Sequence, residues 1–376
     1  MKFSKVIGQS QLKEQLIGMV KSGRISHTML FAGPQGSGKL PIAMAYAQYL
    51  LCQNPTDTDS CGTCPSCRRV AKLEHPDLHM IYPVIKRKST DDAKSEDFIT
   101  SFREMYIKHP YFSYNNWIQK LNAENKQAGI FVSENKTLMH KLSMKSYGDN
   151  YKVFVIWMME KVNQVTANKL LKALEEPPEK TIFLLVTDRI ELILPTIISR
   201  SQLARTAMLK VEEIKEGLIS KFGVPDAQAE KLAVFADGNF HKAVSLMDNT
   251  EELDQNLERF ANYFRHCYSF NVEGINSMAN EFKTFSRDNL IDFLEYSLFL
   301  IRNNMALNLH LEQMVRMTDE ERKFSENFHK LINPATAHLV SREIEEAIFH
   351  IGRNVNTRIV MFDLAIKIYE NLRTKA

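Results

Sequence analysis

The sequence predicts an α/β protein: a parallel sheet built around a phosphate-binding loop in the first half, then an all-helical second half. Three observations carry that expectation. Gly33-Pro34-Gln35-Gly36-Ser37-Gly38-Lys39-Leu40 joins an apolar run, Thr28 to Ala32, to a helix-like segment, Ile42 to Leu51. Strand, glycine-rich loop and helix in that order are the context of a P-loop. Two further buried-strand runs, Lys152 to Ile156 and Ile182 to Val186, alternate with helical patterns, which argues for parallel pairing. From Val211 onward strand patterns vanish.

Composition sets the outer bounds. A chain of 376 residues holds about two or three domains. Hydrophobic content of 44% and charged content of 25% are ordinary for a globular protein. A net charge of +3 argues against a strongly basic nucleic-acid binder but leaves room for a local basic face. No apolar run approaches the ~18 residues of a membrane span. Met1 to Lys5 leads into polar sequence without a secretory h-region, so a cytoplasmic location is expected. Cysteines there stay reduced unless they hold metal.

In chain order, Leu12, Leu16, Ile17, Met19 and Val20 recur at helical spacing after a turn-like Ile7-Gly8-Gln9. The glycine-rich loop comes next. Its glycines let backbone N–H groups turn inward around phosphates. The following helix N-terminus adds partial positive charge there. Gly33, Gly36, Ser37, Gly38 and Lys39 are the candidate cradle for ATP or ADP, with Lys39 as the cation on the terminal phosphates. The last position departs from the pattern. A P-loop ends in Ser or Thr, whose hydroxyl ligates Mg²⁺, and Leu40 has no oxygen. A glycine-rich strand–helix turn that binds nothing has the same local pattern.

Cys52, Cys61, Cys64 and Cys67 follow at C-x8-C-x2-C-x2-C spacing. Two-residue gaps let thiolates converge on one tetrahedral ion, so a structural Zn²⁺ site is expected over 52–67. Cys267 stands alone and reads as a small buried hydrophobe. His79 is not needed as a ligand beside four thiolates. Lys86 to Asp92 reads as a solvated polar loop. The stretch 95–127 carries Phe98, Phe102, Tyr106, Tyr111, Phe112, Tyr114 and Trp117. Packing against the domain explains these better than a nucleic-acid platform, which needs aromatics interleaved with basic residues on an exposed face.

The strand at 152–156 runs into Trp157-Met158-Met159, where a P-loop nucleotidase carries the acid that helps hold Mg²⁺. Glu160 is the first acid and lies past the strand. Val165, Leu170, Leu171 and Leu174 mark a helix that Pro177-Pro178 stops. Val211–Phe222, Pro225–Phe235 and a segment opening at Gly238 read as a small helical domain. Residues 251–375 read as a helical bundle, with Leu290–Leu307 and Ile344–Tyr369 the most strongly apolar-periodic.

Ala167-Asn168-Lys169-Leu170-Leu171-Lys172-Ala173-Leu174-Glu175-Glu176-Pro177-Pro178 resembles the ANxLLKxLEEPP stretch of bacterial clamp-loader subunits of DNA polymerase III. Leu194-Pro195-Thr196-Ile197 and Ser199-Arg200-Ser201-Gln202 resemble that family's LPTIxSRCQ segment, with Ser201 in place of cysteine. Ile7-Gly8-Gln9, Arg24, His27 and the cysteine quartet fit as well. The resemblance covers 5–245 apart from an insertion at about 84–128. It implies an AAA+ P-loop domain over 1–207, a helical lid over 208–249 and a helical collar over 250–376. It implies Arg200 as an arginine finger acting in trans, and Thr187 as a polar sensor, a position that a simple strand-ending threonine fits equally. His241 stands where motor subunits carry a phosphate-sensing arginine, with Lys242 beside it. With Leu40, Trp157 and Met158, this points to the non-hydrolysing delta-prime branch rather than the gamma/tau motors. The implied partners are gamma/tau and delta subunits, the sliding clamp and primed DNA in a hetero-oligomer.

Overall fold

A computed structural model describes residues 1–86, 91–122, 128–147, 151–353 and 355–373, with five parallel strands among them. These are β1 (Thr28–Ala32), β2 (Leu78–Ile81), β3 (Lys152–Trp157), β4 (Thr181–Thr187) and β5 (Gln202–Arg205), in the order β2-β3-β4-β1-β5. The central strands β1, β3 and β4 are buried along their whole length, as continuous apolar runs in a sheet covered on both faces must be. Side chains alternate faces along a strand. Met29, Phe31, Val153, Val155, Ile182, Leu184 and Val186 enter one core. Leu30, Phe154, Ile156, Phe183 and Leu185 enter the other.

The two edge strands were not legible in sequence. β2 and β5 have four residues each, and only Ala204 of β5 is buried, so it has no apolar run. Only their partners, β3 and β1, define them.

Helices α1 (Ser10–Lys21), α2 (Lys39–Leu51) and α3 (Pro65–Ala71) precede β2. All thirteen residues of α2 are buried, because this helix sits between the sheet and the elements outside it. The aromatic-rich stretch forms α4 (Ile99–Lys108) and α5 (Tyr114–Lys120), followed by α6 (Ser133–Ser143). Trp117 is fully buried and its Nε1 donates to the Pro83 carbonyl at 2.6 Å. Tyr82 and Phe102 stack at 3.9 Å with Trp117 edge-on to both. The described part of the insertion therefore packs into the core, as expected. The rest of the expected polar loop (87–90) and of the insertion (123–127) lies outside the described residues.

Helix α7 (Gln164–Glu175) is capped by the Asn163 side chain, which accepts from Val165 N, and ends before Pro177. Then come α8 (Pro195–Ile198), α9 (Val211–Phe222), α10 (Asp226–Phe235) and α11 (Phe240–Ser245). The chain divides into two compact units, 1–229 with 236–244, and 230–235 with 245–376. The second unit holds α12 (Thr250–Ser269), α13 (Val272–Phe282), α14 (Arg287–Asn308), α15 (Asp319–Phe328), α16 (Pro334–Gly352) and α17 (Thr357–Arg373). The apolar period from Ile344 to Tyr369 is shared by α16 and α17. Cys267 is fully buried, and burial pushes its thiol well above the usual range. Among the described residues no helix is long and apolar enough to cross a membrane.

Candidate functional site

Parallel pairing brings the carboxyl ends of β1, β3 and β4 to one edge of the sheet. Ala32 stands level with Thr187, and Trp157 with Val186. Loops beyond such ends are where open α/β sheets build sites. The glycine-rich loop leaves β1 there. Gly36 (φ +73°) and Gly38 (φ +87°) hold left-handed conformations that favour glycine.

Each part of the loop is held by another part of this unit. Gln9 donates through Nε2 to the carbonyls of Ser37 (3.1 Å) and Ala207 (2.7 Å), and its Oε1 accepts from Ala207 N. Ser37 Oγ pairs with Thr206 Oγ1 at 2.8 Å. Phe240 N donates to Gly36 O at 3.2 Å. Asn239 lies so close that a side-chain carbon on Gly36 would fall 1.8 Å from its Oδ1. Lys39, 4% exposed, donates to the carbonyls of Gly33 (2.8 Å) and Pro34 (2.5 Å) and pairs with Asp188 at 2.9 Å. The ammonium is thus neutralised by a carboxylate that directly follows Thr187.

Thr187 itself donates to Glu160 Oε2 at 2.7 Å and accepts from Arg189 N. Asp188 N donates to the other Glu160 oxygen at 3.2 Å. Burial pushes the Glu160 carboxyl above the usual range. Glu160 therefore ties the end of β4 to the turn after β3. Trp157, where an acid was sought, is 4% exposed and packs its ring 5.0 Å from Phe112. The space left between loop and insertion is about 40 Å³, lined by Gly36, Gly38, Lys39, Tyr111, Trp157 and His241 among others. Sequence reasoning singled out the loop residues and Thr187. It missed Gln9, Asp188, Asn239 and Tyr111 as their partners. Only Asp188 carried a local signal, its place one residue beyond Thr187.

Arg200 lies elsewhere. It precedes β5, whose first residue, Gln202, stands level with Met29 of β1. Four residues separate that level from Gly33, about 13 Å at ~3.3 Å per residue, so Arg200 sits toward the sheet edge opposite the glycine-rich loop. Its guanidinium pairs with Glu175 at 2.7 Å and donates to Thr196 O at 3.0 Å. The side chain is 38% exposed.

Cys52, Cys61, Cys64 and Cys67 converge, with all four sulfurs within 4.8 Å of one another. The Cys52–Cys61 and Cys61–Cys67 sulfurs are 3.6 and 3.9 Å apart. A tetrahedral ion with ~2.3 Å metal–sulfur bonds sets sulfurs about 3.8 Å apart, so the quartet fits a metal ion. The N–H groups of Cys61, Cys64 and Cys67 point at the sulfurs of Cys52, Cys61 and Cys64, which favours thiolates. Backbone N–H groups of Cys64 and Thr63 pull the Cys61 thiol down to about 6, whereas burial pushes the Cys52 and Cys67 thiols up.

Fold and site together define a parallel α/β protein organised around a P-loop-type turn, with a four-cysteine cluster set after the first helix of that turn. Residues 8–210 match the family model described as DNA polymerase III, delta subunit, and the chain belongs to that family. The chain is 28% identical over 243 residues to DNA polymerase III subunit delta′ of Bacillus subtilis, covering 65% of this chain and 60% of that one. It is 25% identical over 254 residues to the tau subunit of the same organism, covering 66% and 37%. The matches thus span less than two thirds of these relatives' length. Among solved structures, a DNA polymerase III gamma-subunit-related protein from Thermotoga maritima aligns at TM-score 0.43 and 14% identity, over 96% of this chain and 100% of that one.

Proposed function

We propose that this chain is a delta-prime-type subunit of a DNA polymerase III clamp loader that does not hydrolyse ATP itself. Its residues 1–207 form the AAA+ domain, 208–249 the lid and 250–376 the collar. It assembles with gamma/tau and delta subunits to load the sliding clamp on primed DNA. Cys52, Cys61, Cys64 and Cys67 hold a structural Zn²⁺, which braces the segment between α2 and β2. Four protein ligands leave no open position on the metal for chemistry.

The observation that carries this reading is the position of Arg200. It stands at the sheet edge away from its own glycine-rich loop, with its cation exposed at the surface. From there it serves a neighbour's ATP rather than its own. A guanidinium suits that task because it is always charged and bonds phosphate oxygens in pairs. Leu40, Trp157 and Met158 supply no metal ligand, and Lys39 is held by Asp188. Thr187 is engaged with Glu160.

The test is Arg200→Ala in a loader reconstituted with its partner subunits. Losing an exposed ion pair costs about 0–1 kcal/mol, so assembly persists. Turnover at the ATP site that Arg200 serves falls by about 10³–10⁵, and the loader's total rate falls by that site's share. An unchanged rate in an intact assembly refutes the assignment.

A further inference from the structure

Two cavities flank residues 110–111. The smaller is the 40 Å³ remnant at the glycine-rich loop. The larger, about 800 Å³, is lined by Ile7, Gly8, Lys13, Tyr106, Gly217 and Lys221 among others. Pro110 lines both. Tyr111 touches residues of each. A side-chain carbon built on Gly38 would lie 3.0 Å from Tyr111 Cε1, so the ring rests on the loop itself. On the other side Ile7 N donates to the Tyr111 hydroxyl at 2.7 Å, and Lys221 Nζ sits 4.9 Å over the ring. Phe240 of α11 packs edge-on at 4.9 Å. Tyr111 is 2% exposed.

A nucleotide with its phosphates in residues 33–39 must lay its sugar and base just outside the loop. That space is filled by the chain's own insertion. We propose that Pro110–Tyr114 is an internal occupant of the nucleotide cleft, with Tyr111 bridging the sheet domain to α9 and α11 as a bound nucleoside phosphate would. The inference rests on reading residues 33–39 as a phosphate cradle. Tyr111 supplies what such a ligand supplies: a flat ring between two elements and an acceptor for the Ile7 N–H. Asp188 supplies the negative charge for Lys39. Trp157 in place of an acid lets Phe112 pack beside it without burying a charge. Beside it, the larger cavity alone has the ~300–1,000 Å³ of ordinary ligand sites.

The experiment titrates ADP and ATP, with Mg²⁺, into the zinc-loaded full chain by calorimetry. The wild type shows no saturable binding up to about 1 mM, near −4 kcal/mol. Tyr111→Ala binds ADP at least about tenfold tighter than that limit, equivalent to ~1.4 kcal/mol, and Tyr111→Ala with Lys39→Ala loses the gain. Saturable, Lys39-dependent binding by the wild type overturns the proposal. So does a Tyr111→Ala chain with native circular dichroism and zinc content that still binds nothing. If Tyr111→Ala does not fold, the wild-type titration alone decides. None of these outcomes bears on Arg200, whose assay reads a neighbour's turnover.

Discussion

Replacing Trp117 with alanine tests whether the insertion is part of the core. Trp117 is fully buried against Tyr82 and Phe102, and its indole N–H holds the Pro83 carbonyl at 2.6 Å. Removing a buried aromatic side chain of this size costs about 3–5 kcal/mol. That is a large part of the ~5–15 kcal/mol that holds an ordinary domain together. Trp117→Phe keeps most of the ring and strands one carbonyl, at a cost of about 1–3 kcal/mol. The chain has two tryptophans, Trp117 and Trp157, both in the same compact unit. Emission from Trp157 therefore reports the unfolding of that unit in the alanine variant. With a urea dependence of about 3 kcal/mol per molar, the midpoint falls by roughly 1–1.7 M. The phenylalanine variant falls in between. A midpoint shift below about 0.3 M in the alanine variant means that the insertion is not integral to the core, and the packing argument fails.

Two further predictions concern metal and pH. The wild type should carry about one Zn²⁺ per chain, removable by a strong chelator with loss of thermal stability; Cys64→Ser lowers both metal content and Tm, and unchanged metal content refutes the quartet. His79 packs against Phe154 with ring centres 4.7 Å apart and planes tilted by 40°, and burial, then the charges of Lys141 and Lys152, push its imidazole down to about 3. In the unfolded chain it titrates near ~6.5. Its contribution is therefore fully present above that pH and is lost as pH falls toward 3, by about 1.4 kcal/mol per pH unit. His79→Phe flattens the decline in denaturation midpoint between about pH 7 and about pH 4.5, a window that begins near the ~6.5 of a free imidazole; an unchanged slope refutes the assignment to His79.

What sequence determined is what neighbouring residues decide. The glycine-rich turn lies between an apolar strand and a helix, and Gly33, Gly36, Ser37, Gly38 and Lys39 all fall within seven positions. The cysteine quartet owes its convergence to two-residue gaps and one reverse loop. The central strands were legible because burial on both faces makes them unbroken apolar runs. The stretch around Trp117 and Phe102 also carries Arg103, Lys108 and Lys120, so the packing of its aromatics was decided by their burial in the tertiary structure. β2 and β5 were not legible, since an edge strand of four residues is made by its partner rather than by its own pattern.

Only tertiary structure decided the state of the site. Lys39 meets Asp188 and Gly36 meets Asn239 through elements that arrive from far along the chain. The hydroxyl of Tyr111 finds Ile7 across 104 positions. Such contacts are fixed by how the sheet, insertion and helices pack, and no local spacing encodes them. The side of the sheet on which Arg200 falls was likewise set by the parallel register of β5 against β1. Local sequence placed a glycine-rich turn at residues 33–40 between strand and helix, and long-range packing set Asp188, Asn239 and Tyr111 against it.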